Sequence, residues 1–79
     1  MLTASQCRMA RSALRWTAQD LAARARVSRN TINAFEVERT EPNPATLTVI
    51  RQAFEAAGVE FKPDGSVRLS AGTAAAAGS

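Results

Sequence analysis

Histidine is absent from the 79 residues and cysteine occurs once, at Cys7, so the chain can form no internal disulfide and offers no Cys/His pair at metal-ligand spacing. Without a staple or a metal, a core this small must rest on packing or on a partner. There is no signal-peptide pattern and no apolar run near the ~18 residues a bilayer span needs, so membrane insertion and secretion are not expected. No glycine-rich phosphate loop follows a strand. The neighbouring carboxylates Glu36, Glu38 and Glu41 fall in or beside a loop without a flanking nucleophile. The chain is therefore expected to have no catalytic residues, no metal and no cofactor.

What is present is unevenly charged. The net charge is +3, and residues 1–35 carry six Arg against Asp20 alone, whereas residues 36–79 carry four basic residues against six acidic ones. The basic half suits a polyanion. Inside it, Thr17 to Glu36 (TAQDLAARARVSRNTINAFE) reads as two short helices meeting across a tight turn. Leu21, Ala22 and Ala25 give one apolar edge, Val27 plugs the turn, and Ile32 and Phe35 turn the second helix inward. Upstream, Thr3 reads as an N-cap with Gln6 as its reciprocal partner and Leu2 stapled against Cys7, opening a helix over about 4–15. Cys7, Ala10, Leu14 and the stem of Arg11 share its inner face, and Arg8 and Arg15 are expected to point to water. Cys7 is either a redox thiol or a small buried hydrophobe. Trp16 either stacks on a base or wedges between helices.

Thr17 caps a second helix over about 17–25, with Asp20 in its first turn, and Ser28 caps a third over about 28–36. Arg29, Asn30, Thr31 and Asn33 lie on the outer side of that third helix. Arg can pair bidentately with guanine and Asn with adenine, and Ser or Thr can meet a phosphate or a thymine methyl. On an isolated helix such residues would be an ordinary solvated face. The turn before them and the basic half around them favour base reading.

The Leu21-Ala22 pair, the Ala25-x-Val27-Ser28 turn, Thr31-Ile32 and Phe35-Glu36, followed by a proline-containing loop and a fourth helix, resemble the Cro/C1-type (XRE) helix-turn-helix family of phage and bacterial regulators over about Gln6 to Ala57. The resemblance implies a mainly α fold, a four-helix Cro/C1-like domain, bound to double-stranded DNA through the major groove in a bacterial or phage cytoplasm. It implies that Arg29, Asn30 and Asn33 face base edges. Thr17, Gln19, Ser28, Thr31 and Arg39 would meet phosphates, with the amino end of the second helix aimed at the backbone. It also implies an internal ion pair between Arg11 and Glu36. Three departures stand out. Ala18 takes the place of the usual Gln. Arg26 takes the usual Gly position, so either it adopts φ > 0 or the turn closes differently. Val37-Glu38 replaces a polar residue and Gly, leaving Arg39 as the one obvious phosphate partner in that segment.

Pro42-Asn43-Pro44 reads as a stop, an N-cap and a first-turn proline, opening a fourth helix over about 44–57. Leu47, Ile50, Phe54 and Ala57 give it an inward stripe, and Gly58 ends it. The period then changes to two. Val59-Glu60-Phe61-Lys62 and Val67-Arg68-Leu69 flank Pro63-Asp64-Gly65-Ser66, which reads as a C-terminal β-hairpin over about 59–69. Since a lone hairpin is marginal, Val59, Phe61, Val67 and Leu69 must pack on the chain's own helices or form a dimer interface with a second copy. Residues 1–69 are thus expected to form one domain, and the small-residue stretch 70–79 a disordered tail.

Two functions follow as expectations. The first is a sequence-specific transcriptional regulator, by default a repressor, binding an inverted repeat as a homodimer. The second is a protein-interaction module, an antitoxin or antiactivator, that keeps the fold but binds DNA weakly or not at all, with a protein partner instead.

Overall fold

Side chains that satisfy vacant backbone donors mark the start of each helix. In the computed structural model, which describes residues 2–69, α1 (Ala4–Leu14) opens on Thr3, α2 (Ala18–Ala25) on Thr17, α3 (Arg29–Glu36) on Ser28 and α4 (Pro44–Ala56) on Asn43. Each cap accepts a hydrogen bond from the backbone N–H three residues on. At α1 the box is reciprocal, because the Thr3 N–H donates to Gln6 Oε1 at 2.9 Å. At α2 it is reciprocal too: the Thr17 N–H donates to Asp20 Oδ2 at 2.9 Å, which holds that carboxyl below its ordinary value. The sequence pattern alone gave Asp20 only a favourable first-turn charge.

The core gathers the inward stripes of the four helices. Leu21, Ile32, Ile50, Phe54 and Cys7 are its largest fully buried side chains. Phe54 is central, stacked against Trp16 with ring centroids 5.8 Å apart and meeting Phe61 edge-on at 6.0 Å. Trp16 is half-buried and packs against the core, and the Arg24 guanidinium lies 4.6 Å over its ring. It is therefore the wedge of the two readings left open.

After α4 the chain turns at Gly58 into an antiparallel hairpin of β1 (Val59–Phe61) and β2 (Val67–Leu69), with Val59 opposite Leu69 and Phe61 opposite Val67. Gly65 stands at φ 89° in the connecting loop, where its N–H reaches the Lys62 carbonyl. Asp64 Oδ1 accepts from both the backbone and the hydroxyl of Ser66, which closes the turn from inside. β2 packs on α1 and β1 on α4, and Gln6 Nε2 bonds the Gly65 carbonyl at 3.5 Å. Val59 is buried, and Phe61, Val67 and Leu69 are half-buried against the core. The hairpin thus packs on its own helices. The expected tail, 70–79, lies outside the described residues. Among the described residues no helix is long and apolar enough to cross a membrane, and no cluster of metal-binding side chains occurs.

Candidate nucleic-acid interface

The segment from Thr17 to Glu36 folds as two eight-residue helices because each boundary has a local cause. Arg26 ends α2 in the left-handed region, at φ 59° and ψ 43°, with its N–H on the Ala22 carbonyl. Of the two closures the sequence allowed, this turn therefore uses φ > 0 on a non-glycine residue. Such a conformation costs roughly 1 kcal/mol or more, offset by the burial it permits. Val27 bonds the same carbonyl at 3.1 Å and is half-buried in the turn. Ser28 then opens α3, its Oγ accepting from the Thr31 N–H at 3.1 Å and lying 2.8 Å from Thr31 Oγ1.

A polar clamp holds α3 from behind. Arg11 on α1 sends Nε and Nη2 to the two carboxylate oxygens of Glu36, both at 2.8 Å, and Nη1 to the Trp16 carbonyl at 2.9 Å. One guanidinium therefore joins α1, the α1–α2 corner and the end of α3. Cys7 Sγ donates to Glu36 Oε2 at 3.2 Å, and Arg8 Nη1 donates to the Glu36 carbonyl. Arg8 is exposed, as expected, and that last bond adds a partner: one end of its guanidinium bonds a carbonyl at the terminus of α3. Burial raises the Glu36 carboxyl, but the hydrogen bonds from Arg11 and Cys7 and the nearby positive charges outweigh it, leaving the acid below its ordinary range. Burial, followed by the hydrogen bond and charge of Glu36, pushes the Cys7 thiol far up, so it is a protonated donor and not a reactive thiolate.

With Ile32, Phe35 and Glu36 turned inward, Asn30 and Asn33 are exposed on the outer face of α3, and Arg29 is exposed at its first residue. Gln19, Ser28, Arg29 and Asn30 line one open groove of about 510 Å³ between α2 and α3, floored by Ala22, Ala23 and Val27. Thr17 lies elsewhere, in a cleft of about 630 Å³ between α1 and the start of α2 that it shares with Arg8, Arg11, Ser12 and Arg15. Thr31 is half-buried, and its hydroxyl is engaged with that of Ser28. Arg39 belongs to neither groove. It sits with Glu38 and Glu41 beside Leu2, Phe35 and Leu47.

Two features are not visible in the sequence pattern. Arg8 and Arg15 accompany Thr17 at the amino end of α2, a grouping made at the corner where α1 ends on left-handed Arg15. Val37, just past α3, is 67% exposed and follows Asn30 and Asn33 on the same helical face.

A helix-turn-helix family model, that of the Cro/C1 (XRE) type, matches residues 8–59, from the second turn of α1 to the first residue of β1. No curated protein matches the chain.

Proposed function

Because the chain belongs to the Cro/C1-type (XRE) helix-turn-helix family of DNA-binding regulators, which is not a family of enzymes, we propose that α3 enters the major groove and reads a specific sequence there. Arg29, Asn30 and Asn33 are the base readers. Gln19 and Ser28 approach the phosphates on one side of α3, and Thr17 does so at the amino end of α2, helped by Arg8 and Arg15 in the same cleft. Thr31 acts with Ser28 through their shared hydroxyl interaction, and Arg39 is the weakest candidate because Glu38 and Glu41 flank it.

The protein acts as a cytoplasmic repressor, two copies occupying an inverted repeat with half-sites about one helical turn apart. Since Val59, Phe61, Val67 and Leu69 pack inward, a dimer built on the hairpin pairs through the strand edges, neither of which has a second neighbour among the described residues.

The observation carrying this reading is the division of α3: Ile32, Phe35 and Glu36 are buried while Arg29, Asn30 and Asn33 stand exposed. The test is selection of bound duplexes from a random pool, followed by titration of Arg29→Ala, Asn30→Ala and Asn33→Ala. Each variant is expected to lose about 1–3 kcal/mol against the selected site and to relax preference at one base pair. Unchanged binding by all three would refute the base-reading role.

A second reading, a protein-interaction module, draws on the acidic-rimmed groove of Leu2, Phe35, Glu38, Glu41 and Leu47. It predicts a stable complex with a protein partner that Glu41→Lys disrupts and Arg29→Ala leaves intact.

A further inference from the structure

Val37 is the one large apolar side chain among the described residues that is mostly open to solvent; Met9 and Val49, the other exposed ones, stand at 42% and 39% against its 67%. Its position is fixed by hydrogen bonds. The Val37 N–H donates to the Asn33 carbonyl at 3.1 Å, and the Glu38 N–H donates to the Phe35 carbonyl at 3.0 Å. Glu38 then takes φ 59°, so the backbone leaves the helix and Val37 is the last residue on that side. It lies seven residues after Asn30, four after Asn33 and three after Ala34, which at helical spacing puts it on the line of Asn30, with Asn33 and half-buried Ala34 to either side on the same face. Apolar groups therefore continue the face begun by two amides.

Asn recognises adenine through N6 and N7, and every adenine is paired with a thymine whose C5 methyl projects into the same major groove. A surface that places Asn30 and Asn33 on adenines thus brings thymine methyls beside the next groups on that face. We propose that Val37 reads a thymine methyl, with Ala34 beside it, so that the half-site contains an A·T pair fixed by apolar contact as well as by hydrogen bonds. This rests on the reading of α3 as the base-reading helix and adds to it a contact made from beyond the helix end. A polar residue at position 37 would lack that preference, because it would have to surrender hydration to meet a methyl group.

The experiment uses the full chain and the duplexes it selects from a random pool. Each thymine of a selected half-site is replaced in turn by deoxyuridine, which removes the methyl and leaves the pairing intact. At one position the wild type is expected to bind about fourfold more weakly, the worth of one buried carbon, while Val37→Ala and Val37→Asn bind the two duplexes alike. Val37 is exposed and outside the helix, so both variants should fold, and circular dichroism checks this. Selected duplexes indifferent to uracil at every position would overturn the inference and leave base reading by α3 standing, as would a uracil effect that persists undiminished in both variants. Failure of the wild type to select any duplex would overturn both readings.

Discussion

Arg11 holds both carboxylate oxygens of Glu36 at 2.8 Å across the gap between α1 and α3, and the acid end of the pair is only 7% exposed while the guanidinium is 25% exposed. Removing the cation would leave a buried carboxylate with the Cys7 thiol as its remaining side-chain donor. Arg11→Ala is expected to destabilise the fold by about 3 kcal/mol, the low end for such a change because the arginine is partly solvated. Denaturant melts measure it, and a double-mutant cycle with Glu36→Gln isolates the pair.

The same pair makes stability depend on acid. Glu36 ionises more readily folded than at its ordinary 4.5, so its stabilisation is complete above that value and disappears as pH falls through the lower folded one. Thermal midpoints recorded from about pH 6 to about pH 2 should fall in the wild type, with a shallower fall in Glu36→Gln. Equal slopes would mean that other carboxylates carry the acid sensitivity.

Cys7 should be inert while the fold persists. It is fully buried and its thiol is pushed far above the usual range, so labelling by a thiol-directed disulfide reagent requires opening of the core. The labelling rate is expected to rise with urea in parallel with global unfolding. Fast labelling of the native protein would contradict the burial described.

Glu38 combines a left-handed backbone with a negative charge just past the carboxyl end of α3, where the helix dipole disfavours anions. Glu38→Gly should therefore stabilise the protein by about 1 kcal/mol, seen as a higher urea midpoint at constant slope. DNA binding should tighten as well, more so at low salt.

If Arg15 meets a phosphate, its removal has a signature that base readers lack. Arg15→Gln is expected to weaken all duplexes alike and to lower the steepness of log affinity against log salt by about 0.9 for each phosphate that the arginine neutralises. An unchanged slope would return Arg15 to the role of an exposed helix end.

The helices were legible because their caps are local: Thr3-x-x-Gln6, Ser28 before an apolar period, and Asn43-Pro44 announce their own starts. The hairpin was legible from its change of period, and outward Asn30 and Asn33 from simple helical phase, whereas Arg29 shares the phase of Ile32 and Glu36 and is exposed because it opens the helix. What escaped depends on distance or on substitution. The Arg8 partner is a backbone carbonyl 28 residues away, which no pattern encodes. Arg26 and Glu38 occupy left-handed positions that their residue types hide; only the family resemblance, which puts glycine at both, pointed to that geometry. Val37 lies one step past the end of α3, and its helical phase carries over only because its N–H still reaches the Asn33 carbonyl, which the sequence does not announce.

The indole of Trp16, stacked on Phe54 and covered by the Arg24 guanidinium, sits where α1 hands over to α2. As the sole tryptophan, it is a built-in fluorophore whose colour and intensity report whether α2 and α4 remain docked around it. Melting curves and binding titrations can therefore be followed optically on the unlabelled chain, with the signal arising beside Thr17 and Arg15 at the amino end of α2.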